Sequence, residues 1–292
     1  MLYPEFIREI IDGSLAIRTS GLYPLIPYIE KILAGAIIEP PKLEKLQMKL
    51  FDFGFNEFID TGKPGETQKD AVAVIPIRGT LTKYGTWWDY GTEDYAALLK
   101  EAYKDDSIKA VILRVHSPGG STHSVIPITA AISMRNKAVI TAMDSELMSA
   151  AYYFALYSDK IIAVDEMAEV GSIGIMAQVV DDRKMMEGFG LKIIEIIPPE
   201  SKWKNKPIIE ARDGKPQLLI KEELSPWAVR FQNLVKEQRP NLDMQTEGII
   251  EGRTFYANDA LSNGLIDAIM PIEDIIKYAF DYTAKEVTQF LT

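Results

Sequence analysis

The 292-residue chain contains no cysteine and only two histidines, His116 and His123. Without thiols there is no disulfide framework, no thiolate metal site and no cysteine nucleophile. A reducing compartment fits that usage. Two histidines are too few for a multi-histidine metal centre, and any Ser-His catalysis must use one of them. Positive charge is also scarce: 32 Lys and Arg stand against 42 Asp and Glu, a formal net charge of −10. An acidic chain is a poor general binder of nucleic acid or of an anionic membrane. No long apolar run is present either. A spanning helix needs about 20 mostly apolar residues, and the most apolar early stretch, 22–40, is broken by Glu30, Lys31 and several prolines. The start, MLYPEFIREIIDG, lacks the basic, apolar and small-residue segments of a secretory signal. The expectation is a chain without a membrane anchor, soluble and cytoplasmic.

What is there is globular. Apolar residues make up 47% and charged residues 25%, ordinary values that exclude disordered and collagen-like classes. Phe6, Ile7, Ile10 and Ile11, and then Ile29, Ile32 and Leu33, recur at helical spacing, while prolines at 24, 27, 40 and 41 cut the region short. Residues 1–53 therefore read as a helical N-terminal region, an oligomerisation arm or a propeptide. Residues 54–70, GFNEFIDTGKPGETQKD, read as a linker. From 71 to 292 buried strands alternate with helices. Strands are expected at 71–79, 109–115, 137–143, 159–165 and 191–197. Helices are expected at 92–105 with Thr92 as N-cap, 121–135, 147–158, near 178–188, 221–238, 257–263 with Gly264 as C-cap, and 272–285. Alternation of this kind implies parallel βαβ units and an α/β layered fold.

Two loops end consecutive strand–loop–helix units, and such loops share one sheet edge. The first is Ser117-Pro118-Gly119-Gly120. Adjacent glycines permit a sharp turn whose outward N–H groups suit a phosphate or the oxyanion of acyl transfer. Alone, the motif is more often a tight turn. The second carries Ser149 in Met148-Ser149-Ala150-Ala151-Tyr152, where the hydroxyl is either an N-cap or a nucleophile. Ala150 and Ala151 leave room for a substrate chain. Ser149 needs a base. His116 and His123 flank the glycine loop, and a packed or surface role is the ordinary one for each. Ser201-Lys202-Trp203-Lys204-Asn205-Lys206 is ordinarily a solvated loop, yet a desolvated lysine acts as a general base, and spacing does not choose among the three. Glu169-Val170-Gly171-Ser172-Ile173-Gly174 reads as a bulge or turn, and Gly252-Arg253-Thr254-Phe255-Tyr256 as part of a turn–helix–turn.

Taken in order, AVIPIRGTL, AVILRVHSPGG, MSAAYYFA, DKIIAVDEMAEVGSIGI, the lysine loop and GRTFYANDALSNGLID resemble the signal peptide peptidase A-like serine peptidases, over about residues 71–270. The resemblance implies the Clp protease/crotonase-like layered fold and a Ser-Lys dyad. It implies Ser149 as nucleophile, Lys204 as base with Lys202 in reserve, and the Gly119 and Gly120 amides as oxyanion hole. It implies Ser172, Ala150 and Ser117 as residues lining the site. No metal or other cofactor is implied, and the substrate is a peptide or an unfolded protein. Relatives assemble into rings or domes, so a homo-oligomer is expected. The family's glycine two residues before the aromatic of the lysine loop is replaced by Ser201. Soluble relatives mature phage heads by cutting capsid and scaffold proteins, a role that fits a chain lacking an anchor. Two rivals stand beside this reading. One is a crotonase-type acyl-CoA enzyme, for which Glu146 and Glu169 are the nearby carboxylates. The other is a non-catalytic assembly protein on the same fold.

Overall fold

The computed structural model describes residues 15–17, 31, 46–52, 57–60, 70–85, 89–181, 183–188, 190, 192 and 194–282. Residues 6–11, 29, 30, 32 and 33 of the expected helical periodicity, residues 54–56 and 61–69 of the expected linker, and the end of the helix expected to 285 lie outside them.

The centre is a mixed sheet. β4 (Ala71–Arg78), β5 (Ile108–Ser117), β7 (Ala138–Met148) and β8 (Lys160–Ala163) follow one another as parallel neighbours. Their sequences are nearly continuous apolar runs because both faces are covered, as in other parallel sheets. The alternation of side chains then separates two cores. Ala71, Ala73, Ile75, Val111, Leu113 and Val139 meet a helical layer built from Thr92–Lys104, Val125–Ser133, Ala150–Ala155 and Ser225–Gln238. Val72, Val74, Ala110, Ile112, Ile140 and Ile162 face the opposite way, onto Ile275, Ile276 and Ala279 of the helix Ile272–Asp281. The α/β layered fold with parallel βαβ units is the fold observed.

β7 is the branch point. Its first half, Ile140–Met143, pairs with β8, and its second half, Glu146–Met148, pairs with β9 (Glu169–Gly171). β9 in turn pairs antiparallel with β10 (Thr254–Tyr256), and β11 (Ala268–Ile269) extends β8. On the far side, β2 (Lys49–Asp52) lies antiparallel to β4 and to β3 (Glu57–Asp60). Residues 49–52 of the expected helical region and 57–60 of the expected linker are thus antiparallel strands on the sheet edge. β1 (Leu15–Ile17), inside the same expected helical region, is also a strand, paired antiparallel with β6 (Gly119–Ser121).

Local differences have local causes. Thr92 is not the N-cap. Gly91 is, and its N–H donates to the Asp94 carboxylate at 2.9 Å. The helix expected from 121 begins at Val125, after a 3-10 turn. Pro127 is tolerated because it falls in the first turn, where N–H groups lack helical partners anyway. β7 runs five residues past its expected end, since β9 supplies a partner for its polar half. No described residue of 191–197 is in a strand, and Ile194 and Ile196 are 69% and 87% exposed. The 221–238 helix starts as one wide turn, Ile220–Leu224, before the regular span. Gly264, φ 82°, follows the cap Asn263 of the helix Ala257–Ser262, and Leu265 N–H returns to Ala260 C=O at 2.8 Å, the closing bond of a left-handed helix stop.

Candidate active site

Parallel pairing of Ser117 with Leu147 brings the glycine loop after β5 beside the end of β7, where Ser149 begins the next helix. The two glycines are required for different reasons. Gly119 has φ 100°, a conformation that side chains disfavour. At Gly120 a Cβ would lie 1.8 Å from the Leu81 carbonyl oxygen, so no side chain fits. Leu81 holds this strand closely: its N–H donates to Gly119 C=O at 2.8 Å, and Ser121 N–H donates to its C=O at 2.9 Å. Ser117 is fully buried. Its hydroxyl donates to Gly79 C=O at 2.7 Å and accepts the Gly119 N–H at 3.2 Å. It therefore ties the loop to the preceding strand, and one of the two candidate oxyanion amides is engaged with it.

Ser149 sits at φ 53°, ψ −114°, a sparsely allowed backbone for a residue with a side chain. Its surroundings impose that bend. The Ser149 N–H donates to Gly171 C=O at 2.9 Å, and its C=O accepts the first helical bond from Tyr153 at 2.8 Å. Tyr152, fully buried, anchors the helix through a hydroxyl that donates to Leu265 C=O at 2.8 Å. Burial pushes the Tyr152 phenol pKa well above its ordinary range. A sharp strand-to-helix turn of this type presents a serine oxygen at the top of a sheet. The Ser149 Oγ makes only a marginal bond, to Gly174 C=O at 3.5 Å, so no strong N-cap interaction occupies it. Ala150 and Ala151 are buried beneath it.

The Gly171–Ser172 segment is the second wall. Met148 is the register partner of Gly171, which places Ser172 next to Ser149. Gly171 has φ 126°, and a Cβ there would come 2.4 Å from the Arg253 carbonyl oxygen. Ser172, φ 54°, donates its N–H to the same oxygen at 3.0 Å. The sequence motif around Arg253 is thus a clamp on Ser172, beside Ser149, a role that its spacing did not signal.

The candidate bases lie elsewhere. Lys202, Trp203 and Lys204 are exposed between the 3-10 turn Pro199–Ser201 and the helix Lys206–Arg212. Lys206 stacks its ammonium 4.6 Å from the Trp203 ring centre and lies 3.7 Å from Glu210. Among the described residues, no hydrogen bond joins any of these lysines to Ser149. His116 is bonded through Nδ1 to Ser145, not to Ser149, and His123 is exposed in the 3-10 turn Thr122–Ser124. Glu146 and Glu169 are direct register partners on β7 and β9. Among the described residues, no group of three or more His, Asp or Glu side chains is arranged to hold a metal ion, and no helix is long and apolar enough to cross a membrane.

The chain is 28% identical over 212 residues to Protease 4 of Haemophilus influenzae, an alignment covering 71% of this chain and 34% of that protein. To Protease 4 of Salmonella typhi it is 24% identical, with 78% and 36% covered. The chain thus spans about a third of the length of these two relatives. A solved structure described as the 1510-N membrane-bound stomatin-specific protease, S97A mutant, aligns over 72% of this chain and 84% of its own with 19% identity and a TM-score of 0.49. The model of peptidase family S49 matches residues 131–286, which include Ser149, Ser172 and Lys204. That match spans more than half of the sequence, and the chain belongs to peptidase family S49.

Proposed function

We propose that the protein is a serine endopeptidase that cuts peptides or unfolded proteins through an acyl-enzyme on Ser149. The observation that carries the reading is the bend at Ser149, φ 53°, which leaves its hydroxyl without a strong partner beside a glycine strand that admits no side chain. In this mechanism Oγ attacks the carbonyl carbon, and its proton passes to a neutral lysine, which then protonates the departing amine. Water releases the acyl group. The oxyanion is held by backbone amides of the Gly119-Gly120 loop. Gly119 N–H is given to Ser117 and Gly120 is the register partner of Ala16, so this loop can supply a donor only once one of those partners is released. The Ala150 N–H, directly after the nucleophile and in the first turn of its helix, is the natural second donor.

Lys204 is the proposed base and Lys202 its alternative. Since both are exposed, the segment carrying them must close over Ser149, from the same chain or from a neighbouring copy. Exposed Ile194, Ile196 and Trp203 in that stretch support its burial in a homo-oligomer. Phage capsid or scaffold proteins are the proposed substrates for such an assembly. The exposed lysines also favour one rival reading, a scaffold that retains the fold without the chemistry.

Hydrolysis of unfolded casein and of a fluorogenic peptide pool, with EDTA present and over a dilution series, tests these readings. Ser149→Ala should lose activity by at least about 10³-fold, and Lys204→Ala comparably. Activity that survives Ser149→Ala refutes the nucleophile. Activity that survives Lys204→Ala but not Lys202→Ala transfers the base. Activity that falls on dilution supports delivery of the lysine by a second copy. A wild type silent at every concentration favours the scaffold.

A further inference from the structure

The strand Gly119–Ser121 has two edges, and both are occupied. One edge faces Leu81, which takes the Gly119 C=O and the Ser121 N–H. Successive residues of a strand turn their polar groups to opposite sides. Gly120, between those two, therefore directs its N–H and C=O to the other edge. There the partner is the chain's own segment Leu15–Ile17, running antiparallel in the register Leu15 to Ser121, Ala16 to Gly120 and Ile17 to Gly119. With Gly120 turned toward it, Ala16 is its hydrogen-bonded partner in this ladder, and the pair exchanges both N–H···O=C bonds.

Gly120 is buried, so its backbone groups need a partner. Water reaches a buried edge poorly, and the residue has no side chain to help. An extended peptide of any sequence satisfies the same groups, because only its main chain is read. This edge also lies beside Ser149 through the pairing of Ser117 with Leu147. We infer that residues 15–17 of this chain are a resident occupant of the Gly120 edge, held there by main-chain pairing, and that an incoming extended peptide must displace them. The inference rests on the peptidase reading for what the displacing peptide is, but not for the pairing itself.

The pairing is tested in full-length chain carrying Ser149→Ala, so that no result depends on turnover. Ala16→Pro added to it removes the Ala16 N–H and sets a ring against Gly120. The probe is a fluorescein-labelled synthetic peptide, IDGSLAIRTSG, the sequence of residues 11–21. It should bind the double variant at least about tenfold more tightly than the single variant, as expected when a competing occupant is removed. Hydrogen exchange at the Gly120 amide should accelerate in the double variant and slow again when the peptide is added. A peptide N-methylated at the position of Ala16 should not bind, a control that depends on no substitution in the protein. Equal affinity for the two variants with unchanged Gly120 exchange, or equal binding of the methylated peptide, overturns the inference. Casein hydrolysis by the wild type reports separately on the peptidase reading, so either can fail without the other.

Discussion

Replacing Ser149 with glycine should stabilise the protein while abolishing proteolysis. A residue with a side chain held in a sparsely populated backbone region stores about 1–3 kcal/mol. At φ 53°, ψ −114° Ser149 lies outside even the small left-handed well, so the upper end of that range applies. Glycine releases the strain. It gives back about 0.5–1 kcal/mol in chain entropy and roughly 0.8 kcal/mol for the lost buried carbon. The balance is about 1 kcal/mol in favour of glycine, a rise in Tm of roughly 2 °C for a protein of this size. Ser149→Ala is the control. It keeps the Cβ and the strain, and it loses only the marginal 3.5 Å contact to Gly174, so its stability should match the wild type. Calorimetry and urea unfolding of the three proteins give the answer, with casein hydrolysis run beside them. If Ser149→Gly melts at or below Ser149→Ala, the bend at residue 149 stores no strain.

Other substitutions probe the frame around it. Gly120→Ala would set its Cβ 1.8 Å from the Leu81 carbonyl oxygen, so thermal melting should show a loss of about 3 kcal/mol or more, whereas Gly174→Ala, with nothing within 4 Å, should stay within about 1 kcal/mol of wild type. Asp159 accepts both Arg135 Nε and Nη2 and the Val139 N–H, and it is 3% exposed; Asp159→Ala should cost about 3 kcal/mol in urea unfolding by leaving Arg135 without its partner. Burial raises the Tyr95 phenol pKa from its ordinary 10 to about 12. Between those values the unfolded chain gives up a proton that the folded chain keeps, so Tyr95 contributes stability below pH 10 that is lost as the pH rises toward 12, and the fall in Tm over that window should be shallower in Tyr95→Phe.

The central strands were legible because burial on both faces makes their sequences unmistakable: AVAVIPIR and KAVILRV leave no polar side to misplace. The glycine loop and Ser149 were legible as neighbours because consecutive strand–loop–helix units end at one edge. What stayed hidden was non-local. Nothing within Leu15-Ala16-Ile17 signals that its partner lies a hundred residues on, at Gly119–Ser121. The helical reading of residues 1–53 took in this segment, which is a strand. The Ile-rich stretch 191–197 carries the composition of a strand, but composition does not supply the neighbour a strand needs, and its isoleucines are exposed. Lys204 could be picked out by residue type and motif, yet its position relative to Ser149 depends on how its segment packs, which no local pattern encodes.

The branch in β7 has a consequence for synthesis. The half that leads into Ser149 is secured by β9, and β9 by β10, whose residues 254–256 emerge from the ribosome about a hundred positions after Ser149. The oxygen of Arg253 that receives the Ser172 N–H arrives equally late. A nascent chain can therefore assemble β4, β5 and the first half of β7 while its serine is still unset. The bend at Ser149 is therefore set only after residue 253 has been made, and a chain stalled or truncated before that point should carry Ser149 on an ordinary, relaxed backbone.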